Sequence, residues 1–157
     1  MLIPINVETV LSVLNLPQDL ADNQIFTEHQ SNVMDWLSKV VKKDIYEIAT
    51  TESHPDALLY ATSFKFAYCF YMLSSVLEFI NLKTLGSGII KSTGIDDQST
   101  DLLSGSEIQS FKNNLEIRAL TNLSRHLSLY GLELLNELKF GKKEANLRNK
   151  KTRAKVI

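Results

Sequence analysis

The stretch from Leu58 to Leu82 is apolar on more than one side of any helix it can form. Phe64, Tyr68, Tyr71 and Val76 cannot all share a face with Phe66, Phe70, Leu73, Leu77 and Ile80. A surface helix carries one apolar stripe, whereas a helix apolar nearly all round must be surrounded. The segment therefore predicts a central helix or an intersubunit helix, and the other elements must cover it. Lys65, Ser74, Ser75, Glu78 and Asn81 interrupt the run. The roughly 20 clean apolar residues of a membrane span are missing, so no membrane role is expected. Pro55 and Asp56 mark the start, with Ser53 or His54 before them. Proline in the first helical turn loses no hydrogen bond, and an acid suits the positive end of a helix.

Before this helix, Asn6 to Leu14 reads as a short helix capped by Asn6, with Val7, Val10, Leu11 and Leu14 at helical spacing. Leu16-Pro17 should stop it. Asp19 or Asp22 can start a second helix, whose stripe runs through Ile25, Phe26, Val33, Trp36, Leu37, Val40 and Val41 to Ile45 and Ile48. A break near Lys42-Lys43-Asp44 would divide it into two segments.

After it, Gly86-Ser87-Gly88, Ile89 to Thr93 and then Gly94 read as a short strand framed by turns. The excursion from Leu85 to Ser104 exceeds the roughly 2–8 residues usual between bundle helices. A hairpin or tongue is expected, with Ile89 and Ile90 covering a neighbour. Ser104-Gly105-Ser106-Glu107 fits a capping box. Ile108, Phe111, Leu115, Ala119, Leu123, Leu127, Tyr130, Leu134 and Leu138 then follow helical spacing. They predict one long last helix of roughly 50 Å, which Gly131 would bend and Phe140-Gly141 would end. The expected fold class is thus mainly α, a small helical bundle with a short β-strand or hairpin excursion before a long last helix. With 157 residues, 44% of them hydrophobic, the chain suits one domain.

Charge divides the chain differently. Lys139, Lys142, Lys143, Arg148, Lys150, Lys151, Arg153 and Lys155 stand against Glu144 alone, a net of +7 over residues 139–157. The total is −1, which leaves −8 on residues 1–138. Two units are expected: a helical domain over 1–138 and a basic C-terminal tail over 139–157. The tail either touches a partner or is a solvated terminus. No aromatic residue follows Phe140, so a stacking platform for single strands is missing. Phosphate contacts remain open to the tail, and they would weaken with salt.

The residues display no catalytic constellation. Cys69 lies among Ala67, Tyr68, Phe70 and Tyr71 and should be a buried thiol. A single cysteine excludes an internal disulfide and a Cys-based zinc cluster. His29, His54 and His126 belong to no metal-ligand array, and packing, capping or a partner contact suffices for them. Gly86-x-Gly88 lacks the rest of a dinucleotide loop and of a P-loop. Counted from Asp96, Glu107 falls where a calcium loop needs its acid, but Asp101 stands where that loop needs glycine. No cofactor and no metal are expected. Met1 to Ile5 shows no basic segment before an apolar run, so no secretion signal is expected.

The order of these features carries a family resemblance. A short helix begins at Asn6, and a longer one bears Trp36. An apolar helix runs through Phe66-Ala67-Tyr68-Cys69-Phe70. Gly88-Ile89-Ile90-Lys91-Ser92-Thr93-Gly94 then leads to Ser104-Gly105-Ser106-Glu107 and a last helix. This resembles the small head–tail connector, or adaptor, proteins of tailed bacteriophages over residues 1–138. The resemblance implies a non-catalytic structural protein in the virion neck, made in the host cytoplasm. It implies a twelve-subunit ring bound beneath the portal protein, with the stopper or tail protein on its other side. It implies a subunit interface at Gly88, Ile89, Ile90, Lys91, Thr93 and Gly94. It also implies portal docking by the last segment, hence by the eight tail cations from Lys139 to Lys155, with DNA in the channel as a further contact. Two other classes stay open on the residues themselves: a small helical DNA-associated or regulatory protein, and a helical-bundle enzyme using His29, His126 or Glu133.

Overall fold

The computed structural model describes residues 6–16, 18, 23–83, 90–92, 100–102 and 105–156. Six helices make up the body: α1 (Val7–Val13), α2 (Asn23–Val40), α3 (Lys43–Thr50), α4 (Ala57–Lys83), α5 (Gly105–Asn122) and α6 (Leu129–Val156). The chain is mainly helical, as its apolar periodicities predict. α4 packs against α1, α2, α3 and α5, while α6 lies on α2 and α5. Phe64, Ala67, Tyr68, Cys69, Met72, Val76 and Leu77 of α4 are buried. They meet Val10 and Leu11 of α1, Val33 and Leu37 of α2, and Ala119 and Leu120 of α5 in one core. The central place expected for this helix is the one it occupies.

Local chemistry explains most of the helix ends. The Asn6 side chain accepts from the Thr9 N–H at 2.9 Å and caps α1. α1 stops before Leu16-Pro17, because Asn15 takes a left-handed φ of 53°. Asn15 N–H then donates to the Ser12 carbonyl and Leu16 N–H to the Leu11 carbonyl, which closes the helix in a Schellman motif. Asparagine tolerates that region better than other non-glycine residues. α4 begins at Ala57, so Pro55 and Asp56 sit in the turn before it rather than in its first helical turn. His54 Nδ1 accepts from the Asp56 N–H at 3.1 Å, an Asx-like local bond that holds that turn.

Between α4 and α5 the described backbone forms two three-residue strands, β1 (Ile90–Ser92) and β2 (Thr100–Leu102). They pair antiparallel, with Ile90 opposite Leu102, Lys91 opposite Asp101 and Ser92 opposite Thr100. Ile89 and Thr93 of the strand expected over Ile89–Thr93 lie outside the described residues, as does Ser104 of the expected capping box.

The long last helix expected from Ser104 to Leu138 is two helices, and this is the main correction to the sequence reading. α5 ends at Asn122 in tight i→i−3 turns, with Leu123 N–H on the Leu120 carbonyl and Ser124 N–H on the Thr121 carbonyl. Leu127 then pairs with Val41 in an isolated antiparallel bridge. Ser128 N–H donates to the Val40 carbonyl at 2.8 Å, and Lys42 N–H donates to the His126 carbonyl at 2.9 Å. The junction of α2 with α3 is thereby sewn to the junction of α5 with α6. The interruption at Lys42 is the one that the sequence suggested.

Ser128 starts α6. Its Oγ accepts from the Gly131 N–H at 3.1 Å and donates to the Lys39 carbonyl at 2.7 Å. Gly131 does not bend a helix interior. It lies in the first turn, where an added Cβ would come within 2.3 Å of the Val40 carbonyl oxygen. The His126 ring packs edge-on to Tyr60, with centroids 5.0 Å apart. Burial lowers its pKa below the usual histidine value, and the cations Lys42 and Arg125 lower it further.

Two outcomes follow from the crossing. Gly131→Ala should lower stability by about 1–3 kcal/mol through overpacking against fixed backbone. Gly105→Ala, with nothing within 4 Å of its added Cβ, should be near neutral. Urea melts of the two variants test the contrast. Stability should also fall as pH drops from the ordinary histidine value through the lowered value of folded His126. In that window the unfolded chain binds the proton that the folded chain resists. His126→Gln should flatten that limb of a stability profile measured by urea melts against pH.

Candidate docking surfaces

α6 turns on itself at Gly141, whose φ of 76° and ψ of 163° are not helical. The helical backbone then resumes and runs to Val156. The end expected at Phe140-Gly141 is therefore a corner, and residues 142–156 form a second helical arm rather than a frayed tail. Arg153 of this arm reaches back to Glu133, with Nε donating to Oε1 at 2.6 Å and a second guanidinium nitrogen on the same oxygen. A straight helix would hold residues 20 positions apart roughly 30 Å from one another. The pair thus records a fold-back at Gly141, which the sequence did not signal.

The expected docking cations distribute along this arm. Lys139 is exposed just before the corner and Lys142 just after it. Arg153 is exposed and engaged with Glu133. For Lys143, Arg148, Lys150, Lys151 and Lys155 the structure describes only the helical backbone. By the 3.6-residue period, positions 148, 151 and 155 fall on the side of the arm away from position 153. Of the expected subunit-interface residues, Ile90 and Lys91 belong to the backbone of β1. Gly88, Ile89, Thr93 and Gly94 lie outside the described residues.

A second surface was not legible as a site. Phe70 and Leu73 of α4, with Phe111, Leu115, Asn114 and Arg118 of α5, line an apolar groove of about 350 Å³. Leu14 and Leu16, at the end of α1, close one side. The Arg118 guanidinium lies 5.9 Å from the centre of the Phe70 ring, which orients a cation at the rim. Phe111 shares the stripe of the buried Leu115 and Ala119, yet it is 43% exposed at the open groove.

The groups considered for chemistry make the following contacts within the fold. Cys69 is fully buried, and desolvation pushes its thiol up to about 12. His29 Nδ1 lies 2.7 Å from the Ser75 hydroxyl, which ties α2 to α4, and its ring packs against Phe79. Trp36 stacks on Tyr71 with centroids 3.9 Å apart, and burial pushes the Tyr71 hydroxyl up to about 12. Burial raises the Glu116 carboxyl above its ordinary value, with Lys112 opposing. His29 contacts Ser75 and Phe79, His126 contacts Tyr60, and Glu133 pairs with Arg153. Among the described residues no group of three or more His, Cys, Asp or Glu is placed to hold a metal ion. Among them also, no helix is long and apolar enough to cross a membrane.

No protein-family model, curated protein or solved structure matches the chain.

The Gly141 backbone angles fall in a region open essentially to glycine alone, where another residue is strained by about 1–3 kcal/mol. Gly141→Ala should therefore release the arm without unfolding the body. Amide exchange over residues 142–156 is expected to accelerate while protection in α4 stays as in the parent chain. Equal loss of protection in both would show that the corner supports the core.

Proposed function

We propose that this chain is a non-catalytic structural adaptor, a ring-forming connector between the portal and the tail or stopper of a phage particle. The observation that supports the reading most is the order of elements. A short capped helix, a helix bearing Trp36 and a buried central helix precede a small β ladder and the last helices. The resemblance to head–tail connectors rests on that order up to the excursion, and it expects one long last helix where α5 and α6 stand. The chemistry is compatible with it, since the described polar side chains of the interior tie helices together.

In this reading the β1–β2 segment contributes a subunit contact through Gly88, Ile89, Ile90, Lys91, Thr93 and Gly94. The basic arm supplies the portal contact. Its cations are carried on a helix that leaves the body at a glycine corner, so they present charge without interrupting the core. Fixing long Lys and Arg side chains costs rotamer entropy, and paired contacts on an acidic protein surface offset it. DNA in the channel would offset it through counterion release.

A tagged full-length chain is expected to recover a portal protein from the lysate of phage-producing cells, and the complex should image as a ring. A chain ending at residue 141 should recover much less portal while its melting temperature moves little. The ion pair it loses is exposed, and such pairs contribute about 0–1 kcal/mol. Recovery of no portal, together with steeply salt-dependent duplex binding by the full chain, would replace the adaptor with a DNA-associated protein.

A further inference from the structure

Two unlike features of the surface are left open by the described residues. Leu58 and Leu59, in the first turn of α4, are 75% and 74% exposed. The apolar groove at Phe70, Leu73, Phe111 and Leu115 lies three to four turns further along the same helix, roughly 20 Å away. Neither feature fills the other. Phe66 lies between them and is also partly exposed, and by helical spacing it shares a face with Leu59 and Phe70. Thr62 and Ser63 separate Leu59 from Phe66, so the helix carries two distinct apolar features, a protruding one at its start and a recessed one further along.

The charges at the two ends are opposite. Asp56 is exposed in the turn immediately before the leucines. Arg118 is exposed at the rim of the groove, held over Phe70. We propose that Leu58 and Leu59 of one copy seat in the Phe70–Phe111 groove of the next copy, with Asp56 facing Arg118. The occupant of the groove is therefore a second copy of this chain. A protruding patch meeting a different, recessed patch is a head-to-tail contact, and such contacts propagate around a ring when the rotation closes. An isologous pair would bury like against like and stop at two. The inference deepens the assembly reading above and rests on it for closure of the ring. The contact itself stands on the leucines, the groove and the two charges.

Complementary variants test it by sedimentation velocity over a concentration series of the full chain. The parent chain should associate as concentration rises. The knob variant L58S/L59S should weaken association by roughly 100-fold or more, because two apolar side chains no longer leave water. The groove variant R118E should weaken it about tenfold through like-charge opposition to Asp56. D56K should do the same alone, and the chain carrying both D56K and R118E should regain association. Each substituted side chain is exposed, and circular dichroism of the variants should match the parent.

The decisive sample mixes L58S/L59S with F111S/R118E, each unable to associate alone. One retains a groove and the other a knob, so the mixture should form dimers and stop there. A mixture that stays monomeric while the parent chain associates overturns the head-to-tail contact. So does a parent chain that is monomeric throughout the series, and so does association indifferent to these residues. Saturation of the groove by decanoate in a monomeric parent chain would assign it to a small apolar acid instead. If the chain recovers portal but these variants assemble normally, this contact falls and the adaptor reading stands. Association of the expected kind without portal recovery gives the opposite result.

Discussion

Two backbone hydrogen bonds hold the molecule's layout, Ser128 N–H to the Val40 carbonyl and Lys42 N–H to the His126 carbonyl. The first joins two groups that helix ends leave without an intrahelical partner, and the second gives the Lys42 N–H at the start of α3 a carbonyl from the turn after α5. Val41 and Leu127, the residues bridged between them, are both buried. The crossing therefore satisfies two helix junctions at once in a place where water does not reach easily. Ser128 adds its hydroxyl to both sides, capping α6 and binding the Lys39 carbonyl. Gly131 permits the approach, because any larger residue would meet the Val40 oxygen. The directions of α3 and α6 follow from this point. Tyr130, two residues after Ser128, is 53% exposed.

The central helix is covered unevenly, and that unevenness is informative. Its Phe64, Ala67, Tyr68, Met72, Val76 and Leu77 are enclosed by α1, α2 and α5, while Lys65 and Phe66 on the other side stay exposed. Its first turn is covered on one side, where Ala57 is buried and Tyr60 meets His126, and leaves Leu58 and Leu59 bare on the other. Scattered exposed leucines are ordinary on protein surfaces, whereas Leu58 and Leu59 stand side by side. The polar links along the enclosed part fix how the helices sit. His29 meets Ser75 on one side, and the Ser74 hydroxyl lies 3.4 Å from the Lys112 carbonyl on the other. Such bonds contribute modestly to stability, and their geometry selects one register among the sliding arrangements that apolar contacts alone would tolerate.

The charge asymmetry takes a specific form in three dimensions. The arm after Gly141 returns toward the acidic body, and Arg153 meets Glu133 there. An exposed ion pair contributes about 0–1 kcal/mol, too little to impose a corner by itself. The backbone angles at Gly141 set the direction, and the pair biases where the arm rests. An arm held that weakly is suited to exchange an internal partner for an external one.

Much of the helical content was legible in residues. Asn6 announced the first cap, Lys42-Lys43-Asp44 the first break, and the many-sided apolar run from Leu58 to Leu82 the central helix. These are local signals, read from one or a few neighbouring positions. The β segment and most of the cations expected to dock are only partly described, so their roles rest on proposal. What the residues could not reveal was the break at Leu123–Ser128. Leu123, Leu127, Tyr130 and Leu134 keep helical spacing straight through it, so periodicity reads on without a stop. Only packing decides there, because the backbone of Val40–Lys42 competes for the groups that the helix would otherwise bond to itself. The fold-back of Arg153 onto Glu133 and the groove between α4 and α5 were equally invisible. Both join residues far apart in sequence, and the three-dimensional course of the chain alone sets the distance between them.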